Sequence, residues 1–169
     1  MNFQIGDKIV YPNQGVGVIE QVSSRNLTGQ AEMYYLLKLG SNGMRVMVPT
    51  TNVSSVGLRR VAKNQEVGFV LEYLHRIPIR THNDWKSRFK ENSEKMRAGT
   101  LKDVAEVLKT LLVLNQAKPL SFREKRMLDR AWQLLVDEIS VARGMARQTV
   151  EEQLMKTLSK SNLKVPLPS

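Results

Sequence analysis

Met33-Tyr34-Tyr35-Leu36-Leu37-Lys38-Leu39-Gly40-Ser41-Asn42-Gly43-Met44-Arg45-Val46-Met47-Val48-Pro49 sets two β-rich runs on either side of an Asn-Gly pair. Both residues of that pair tolerate positive φ, and a turn built from them matches the right-handed twist of the flanking strands, so the stretch predicts a β-hairpin. Upstream lie Lys8-Ile9-Val10-Tyr11, closing on Pro12-Asn13-Gln14-Gly15, and then Val16-Gly17-Val18-Ile19-Glu20-Gln21-Val22, followed by a polar turn over 26–30. A fifth short strand is expected at 58–61. Glycines between β-branched residues, as in Gly15-Val16-Gly17, suit strand positions where a sheet bends sharply.

Four or five short strands with turns every 8 to 12 residues predict a small, strongly curved barrel of the size of SH3 or Tudor modules. Downstream of about residue 64 the texture changes to helical. Asn64 can cap a helix over 65–75 with Val67, Val70, Leu71 and Leu74 on one face, and Pro78 opposes its continuation. Asn83 or Asp84 can cap a second, over 85–97, that Gly99 ends; Thr100 with Asp103 opens a third, carrying Val104, Val107, Leu108, Leu111 and Leu112. Ser121-Phe122-Arg123-Glu124 is a capping box, with Glu124 expected to reach back to the cap of its own helix. That helix sets Leu128, Ala131, Trp132, Leu135, Ile139 and Ala142 on one stripe and stops near Gly144, and a weaker helix covers 148–158. The expected fold class is therefore α+β multidomain: a barrel over 1–64, a compact all-α domain over 65–160, and a flexible tail over 161–169.

Of the 169 residues, 41% are apolar and 25% charged, near the globular average, which argues against disorder or fibrous structure. Twenty-six Lys and Arg against 16 Asp and Glu leave a formal charge of +10, pointing to an anionic partner such as nucleic acid, ribosome or acidic membrane. Residues 1–66 hold seven basic and four acidic side chains and the rest hold 19 and 12, so the two halves carry +3 and +7. The absence of cysteine excludes disulfides, thiolate metal sites and a cysteine nucleophile. No secretion signal opens the chain and no run of about 18 apolar residues follows, so a cytoplasmic location is expected.

Catalytic constellations are missing. His75 and His82 are separated by Pro78 and have no carboxylate pair at metal-ligand spacing, and Gly15-Val16-Gly17 lacks the third glycine and following helix of a dinucleotide site. No enzyme, metal or cofactor is expected.

The densest basic segment is Arg76, Arg80, Lys86, Arg88, Lys90, Lys95 and Arg97, with Trp85 inside it. Two readings fit Trp85. It lies within about 40 degrees of Phe89 and Met96 on a helical wheel, which suits a buried stripe. It also opens a helix among cations, where an aromatic can stack on or wedge beside a base while lysines and arginines grip phosphates. Trp132, mid-helix on an apolar stripe, reads as core. A second basic cluster, Lys118, Arg123, Lys125, Arg126 and Arg130, straddles the capping box and is either a phosphate site or a solvated charged face.

These residues bring the chain close to a known family. Gly6-Asp7-x-x-Val10-Tyr11-Pro12-x-x-Gly15, Asn42-Gly43-Met44-Arg45-Val46-Met47-Val48-Pro49 and Val56-Gly57-Leu58-Arg59 in the first part, with Asn83-Asp84-Trp85-x-x-Arg88-x-Lys90-x-Asn92-x-Glu94-Lys95, Val104-Ala105-Glu106-Val107 and Leu120-Ser121-x-x-Glu124-Lys125-Arg126-Met127-Leu128 in the second, resemble the CarD/CdnL family of bacterial RNA polymerase-binding transcription regulators. The resemblance implies a Tudor-like domain that binds the polymerase β subunit, also seen in transcription-repair coupling factors, and a helical domain that contacts promoter DNA, in its minor groove and at its phosphates, at the upstream edge of the melted bubble. It implies a wedge at Trp85, DNA contacts at Arg88, Lys90 and Lys125, and polymerase contacts at Arg25, Leu37, Met47 and Pro49; the neighbouring cations Lys86 and Arg126 are expected to join the DNA contacts and Arg45 the polymerase contacts. Some relatives carry arginine at the Met47 position, so a charge-assisted contact is here replaced by an apolar one.

A barrel edge carrying Leu37 and Met47 would offer a partner strand both backbone groups and an apolar patch. The implied function is stabilisation of the open promoter complex without reading sequence; charge and the small barrel alone would also suit a free-standing nucleic-acid-binding or ribosome-associated protein. No membrane or small-molecule partner is expected, nor a dimer seam.

Overall fold

The computed structural model describes residues 2–26, 29–40, 42–76 and 85–166, with the backbone alone at Trp85. The predicted caps at Asn83 and Asp84, and Pro78, Arg80 and His82, lie outside the described residues. The chain divides into two compact units, Met1–Val61 and Ala62–Ser169.

The first unit is one antiparallel sheet. Strands β1 (Lys8–Tyr11), β2 (Gly15–Asn26), β3 (Ala31–Leu39), β4 (Arg45–Pro49) and β5 (Arg59–Arg60) are ordered β4-β3-β2-β1-β5. Period-two alternation sends Tyr35, Leu37 and Leu39 of β3 to one face, where they pack with Phe3, Ile9, Ile19, Val48, Val53 and Leu58. The hairpin forms as its sequence predicts. Gly43 takes φ +69, and the Asn42 Oδ1 accepts the Met44 N–H at 2.9 Å. A short helix α1 (Val53–Val56), which the sequence did not announce, ends on left-handed Gly57 at φ +85.

At Gly17 the sheet's curvature brings strand β3 against the backbone. A Cβ there would stand 2.7 Å from the Lys38 carbonyl oxygen and 2.9 Å from Leu37 Cδ1. The strand glycine is therefore a requirement of close approach.

The second unit is helical: α2 (Asn64–His75), α3 (Trp85–Ala98), α4 (Leu101–Ala117), α5 (Phe122–Arg143) and α6 (Arg147–Ser159). Their apolar stripes meet in one core that includes Val67, Leu74, Leu108, Leu111, Leu135, Ile139 and Leu154. Trp132 belongs to it, at 8% exposure. The caps follow the sequence at Thr100, whose hydroxyl accepts from the Asp103 N–H at 3.1 Å, and at Gly99 and Gly144, with φ +70 and +61. At α2 the cap is Lys63 in place of Asn64, with Glu66 accepting the Lys63 N–H at 3.4 Å.

Three polar ties cross this core. Glu138, 3% exposed, accepts the Ala62 N–H at 2.8 Å and so pins the start of the unit to α5. Lys109, 4% exposed, donates to the Tyr73 carbonyl and sits 4.3 Å from the Tyr73 ring; burial lowers its pKa from the ordinary lysine value. Ser161, expected to begin a flexible tail, is buried and donates to the carbonyls of Leu74 and Leu158 at 3.0 Å, and Leu163 beside it is 2% exposed. The segment is held because Leu163 fills the apolar core left open past the end of α6.

These packings separate two glycines of opposite behaviour. Gly17→Ala forces its methyl into backbone and should destabilise the protein by about 1–3 kcal/mol. Gly68→Ala, inside α2 with open space around it, should stabilise by about 0.5–1 kcal/mol. Glu138→Ala strands the buried Ala62 N–H and should cost about 1.5–3 kcal/mol. Urea unfolding followed by circular dichroism measures all three, and a stabilised Gly17→Ala would contradict the close approach.

Candidate functional site

Helix α3 is unusually polar for a packed helix. Among its described residues Met96 is the buried apolar side chain, with Phe89 half-covered and Asn92 buried at 3% exposure. Its seating on the bundle comes instead from charge. Lys95 donates to Glu106 of α4 at 3.0 Å and lies 3.5 Å from Glu91; burial depresses its pKa, but the two carboxylates outweigh that and hold it above the ordinary lysine value. One end of α3 is fixed to α4 in this way.

Its other end is fixed to α5. Arg88 Nε and Nη2 donate to the two carboxylate oxygens of Glu124 at 3.0 and 3.2 Å, a fork-to-fork pair between side chains only 13% and 5% exposed. The Ser121 hydroxyl, at the cap of α5, donates to the same carboxylate at 3.3 Å and accepts the Glu124 N–H. Glu124 sits in the first turn of α5, where the positive end of the helix dipole favours a carboxylate. The expected capping box thus exists on the serine side, while the glutamate carboxylate spans 36 residues to another helix. A second contact reinforces the junction: the Arg123 guanidinium lies 4.5 Å from the Phe89 ring centre.

The junction merges two basic segments that are far apart in sequence. Lys86 and Lys90 on α3, with Lys125 and Arg126 on α5, are all exposed. Arg126 covers the ring of Phe122 at 5.7 Å, yet Phe122 remains 73% exposed. Trp85 is the first residue of α3, one turn before Arg88. Of the basic residues expected to hold DNA, Arg88 alone is turned into the protein, and its charge is already neutralised by Glu124. Sequence reading missed Glu124, since its place in the capping box already explained it, and Phe122, which stood inside the same box.

In the sheet unit, β4 is an edge strand, and among the described residues β3 is its strand neighbour. Cross-strand partners share a face, and Met47 pairs with Leu36, Pro49 with Tyr34, and Leu37 with Val46. Leu37, expected beside Met47 on the partner-facing edge, is instead fully buried at 0% exposure on the core face. A register one residue away reverses the face, so Leu36 takes the place expected for Leu37. Leu36, Met47 and Pro49 are half-buried and together line the outer face along the edge. Arg45 donates to Glu20 at 2.8 Å, and this hydrogen bond holds the Glu20 carboxyl below its ordinary value. Arg25 is exposed near the end of β2, opposite Glu32. No helix among the described residues is long and apolar enough to cross a membrane.

Comparison with known proteins matches both units. The family profile described as CarD-like/TRCF RID domain covers residues 3–62, and that of CarD, C-terminal domain, covers residues 69–155. YdeB of Bacillus subtilis (strain 168), whose name designates a transcription factor, is 32% identical over 155 residues, which span 88% of this chain and 97% of YdeB. Among solved structures, CdnLNt of Myxococcus xanthus is 44% identical with a TM-score of 0.31, over 36% of this chain and 86% of that one. The 72-residue N-terminal domain of Myxococcus xanthus CarD is 32% identical with a TM-score of 0.31, over 35% and 79%. With an RNA polymerase β-interacting domain followed by the CarD C-terminal domain, the chain belongs to the CarD/CdnL family of bacterial RNA polymerase-binding transcription regulators.

Proposed function

We propose that this protein stabilises the open promoter complex, holding polymerase through β4 and its outer face and gripping DNA with the α3–α5 surface at the upstream edge of the bubble. The observation that carries the reading is the merging of Lys86, Lys90, Lys125 and Arg126 with an exposed aromatic, Phe122, at the end of α3 that Trp85 opens. Lysines and arginines that release counterions from phosphates give affinity without sequence preference. An aromatic at the duplex edge adds a contact that exists only where base pairs have opened. A ligand shifts an equilibrium only by its differential affinity, and here Trp85 supplies the difference between open and closed DNA. Tethering to polymerase raises the local concentration of the helical unit at the promoter, so weak intrinsic DNA affinity suffices.

On the polymerase side the edge strand β4 offers backbone N–H and C=O groups to a strand of the β subunit, and Leu36, Met47 and Pro49 offer the apolar pocket that alternate side chains of such a strand need. Arg25 and Arg45 flank this face as its polar rim.

Trp85→Ala should leave folding and polymerase binding intact and shorten open-complex lifetime by about 5- to 150-fold, the span of stacking contacts of roughly 1–3 kcal/mol. An unchanged lifetime in a transcription-competition assay would remove the wedge. Lys90→Ala and Lys125→Ala should each lower the slope of log affinity against log salt by about 1, as loss of one phosphate contact requires. Leu36→Glu, with circular dichroism unchanged, should reduce capture of the polymerase β subunit by about tenfold or more, whereas Leu37→Glu should instead unfold the sheet unit. Equal capture by Leu36→Glu would sink the outer-face assignment.

A further inference from the structure

Arg88 carries a formal charge within the basic surface, yet it is not available to a phosphate on the terms of its neighbours. To contact DNA it would have to leave Glu124, a 5% exposed carboxylate, without its bidentate partner. Unpairing it would leave a buried carboxylate charge uncompensated, a cost that neighbouring exposed cations do not meet. The pair also stands at the end of α3 away from its buried apolar side chain. The apolar anchor Met96 lies two turns further on, Asn92 is buried with its Nδ2 lacking a hydrogen-bond partner, and the Lys95–Glu106 bridge grips only the far half of the helix. At the near end, Arg88–Glu124 and the Arg123–Phe89 contact tie α3 to α5.

We infer that Glu124 is a positioning residue of the DNA-facing surface: through Arg88 it fixes the first turn of α3, with Trp85, Lys86 and Lys90, against the first turn of α5, with Lys125 and Arg126. This rests on the DNA reading of that surface and assigns to an acidic residue a part in binding an anion. The pair is neutral as a whole, so its contribution is geometric. Bidentate geometry limits rotation of α3 about its own axis more than a single contact could, because two guanidinium nitrogens and both carboxylate oxygens are engaged. Ser121 adds to this by holding the carboxylate from its own helix.

The two roles for Arg88 give opposite signs. If Arg88 grips phosphate, Glu124→Gln removes a negative charge beside the DNA and releases a cation, and binding tightens. If Glu124 positions α3, the same change weakens binding even though the surface has become more positive. The experiment measures the affinity of the full chain for a labelled duplex carrying a premelted bubble, by fluorescence anisotropy at fixed salt. Glu124→Gln should weaken binding by about tenfold, the usual scale for losing a partner that orients a binding side chain. The charge-swapped pair Arg88→Glu with Glu124→Arg should recover most of that loss.

Equal or tighter binding by Glu124→Gln would overturn the inference, as would failure of the swapped pair to recover. Should Glu124→Gln lower the urea midpoint, Arg88→Lys provides the second reading, since it keeps the charge and loses the fork. A drop in affinity matching Glu124→Gln supports positioning, and retained affinity overturns it. Lys90→Glu in the same assay separates the two levels: if it leaves binding unchanged, the DNA reading falls and takes the inference with it. If Lys90→Glu weakens binding and Glu124→Gln does not, only the inference falls.

Discussion

In the helical unit a buried ion pair joins α3 to α5. Arg88 and Glu124 lie 36 residues apart and meet at 3.0 and 3.2 Å, with side chains only 13% and 5% exposed. An ion pair of this kind is no great source of net stability, because desolvation consumes most of the Coulomb gain. What it supplies is a unique arrangement. A helix as polar as α3 could slide or turn on a purely apolar seat, whereas a fork-to-fork pair has one geometry. The consequence is that two basic segments become one surface with an exposed phenylalanine in it.

The sheet unit solves a different problem with the same economy of residues. Its interior is filled from alternate positions of β3, and this obliges the other alternate positions to face outward. Lys38 and Leu36 on β3 are therefore presented beside Arg45 and Met47 on β4, giving an outer face that is charged at one end and apolar at the other. Gly17 permits the curvature that closes the core under them. The edge at β4 would be an aggregation hazard in a protein without a strand partner. In the function proposed above, that edge is the strand offered to the polymerase.

The two chemistries suit their partners. A protein–protein edge works through backbone groups and a small apolar patch, which demand a fixed register. Phosphate gripping, the role proposed for the helical unit, works through exposed cations that tolerate motion. The charge is +3 before residue 67 and +7 after it, in keeping with that proposal.

Much of this was legible in the chain. Period-two and period-three-and-four patterns, Gly99, Gly144, Thr100 and Ser121 gave the elements and their ends, because caps and alternation act over a few residues and are written locally. The motifs around Trp85 and Lys125 carried the family. What the chain could not show was which residues face each other across elements. Leu37 and Leu36 are neighbours with the same side chain, and only the pairing of β3 with β4 sends one to the core and the other to the surface. Glu124 reads as a cap from its spacing to Ser121, and Arg88 as one more cation; their pairing depends on α3 lying across the start of α5. Ser161 and Leu163 look like a tail until a gap in the core beyond α6 receives them. Local patterning determined the elements and the sign of the charge. The tertiary structure decided which charges are spent inside the protein and which remain for a partner, since that depends on distances between residues the sequence keeps far apart.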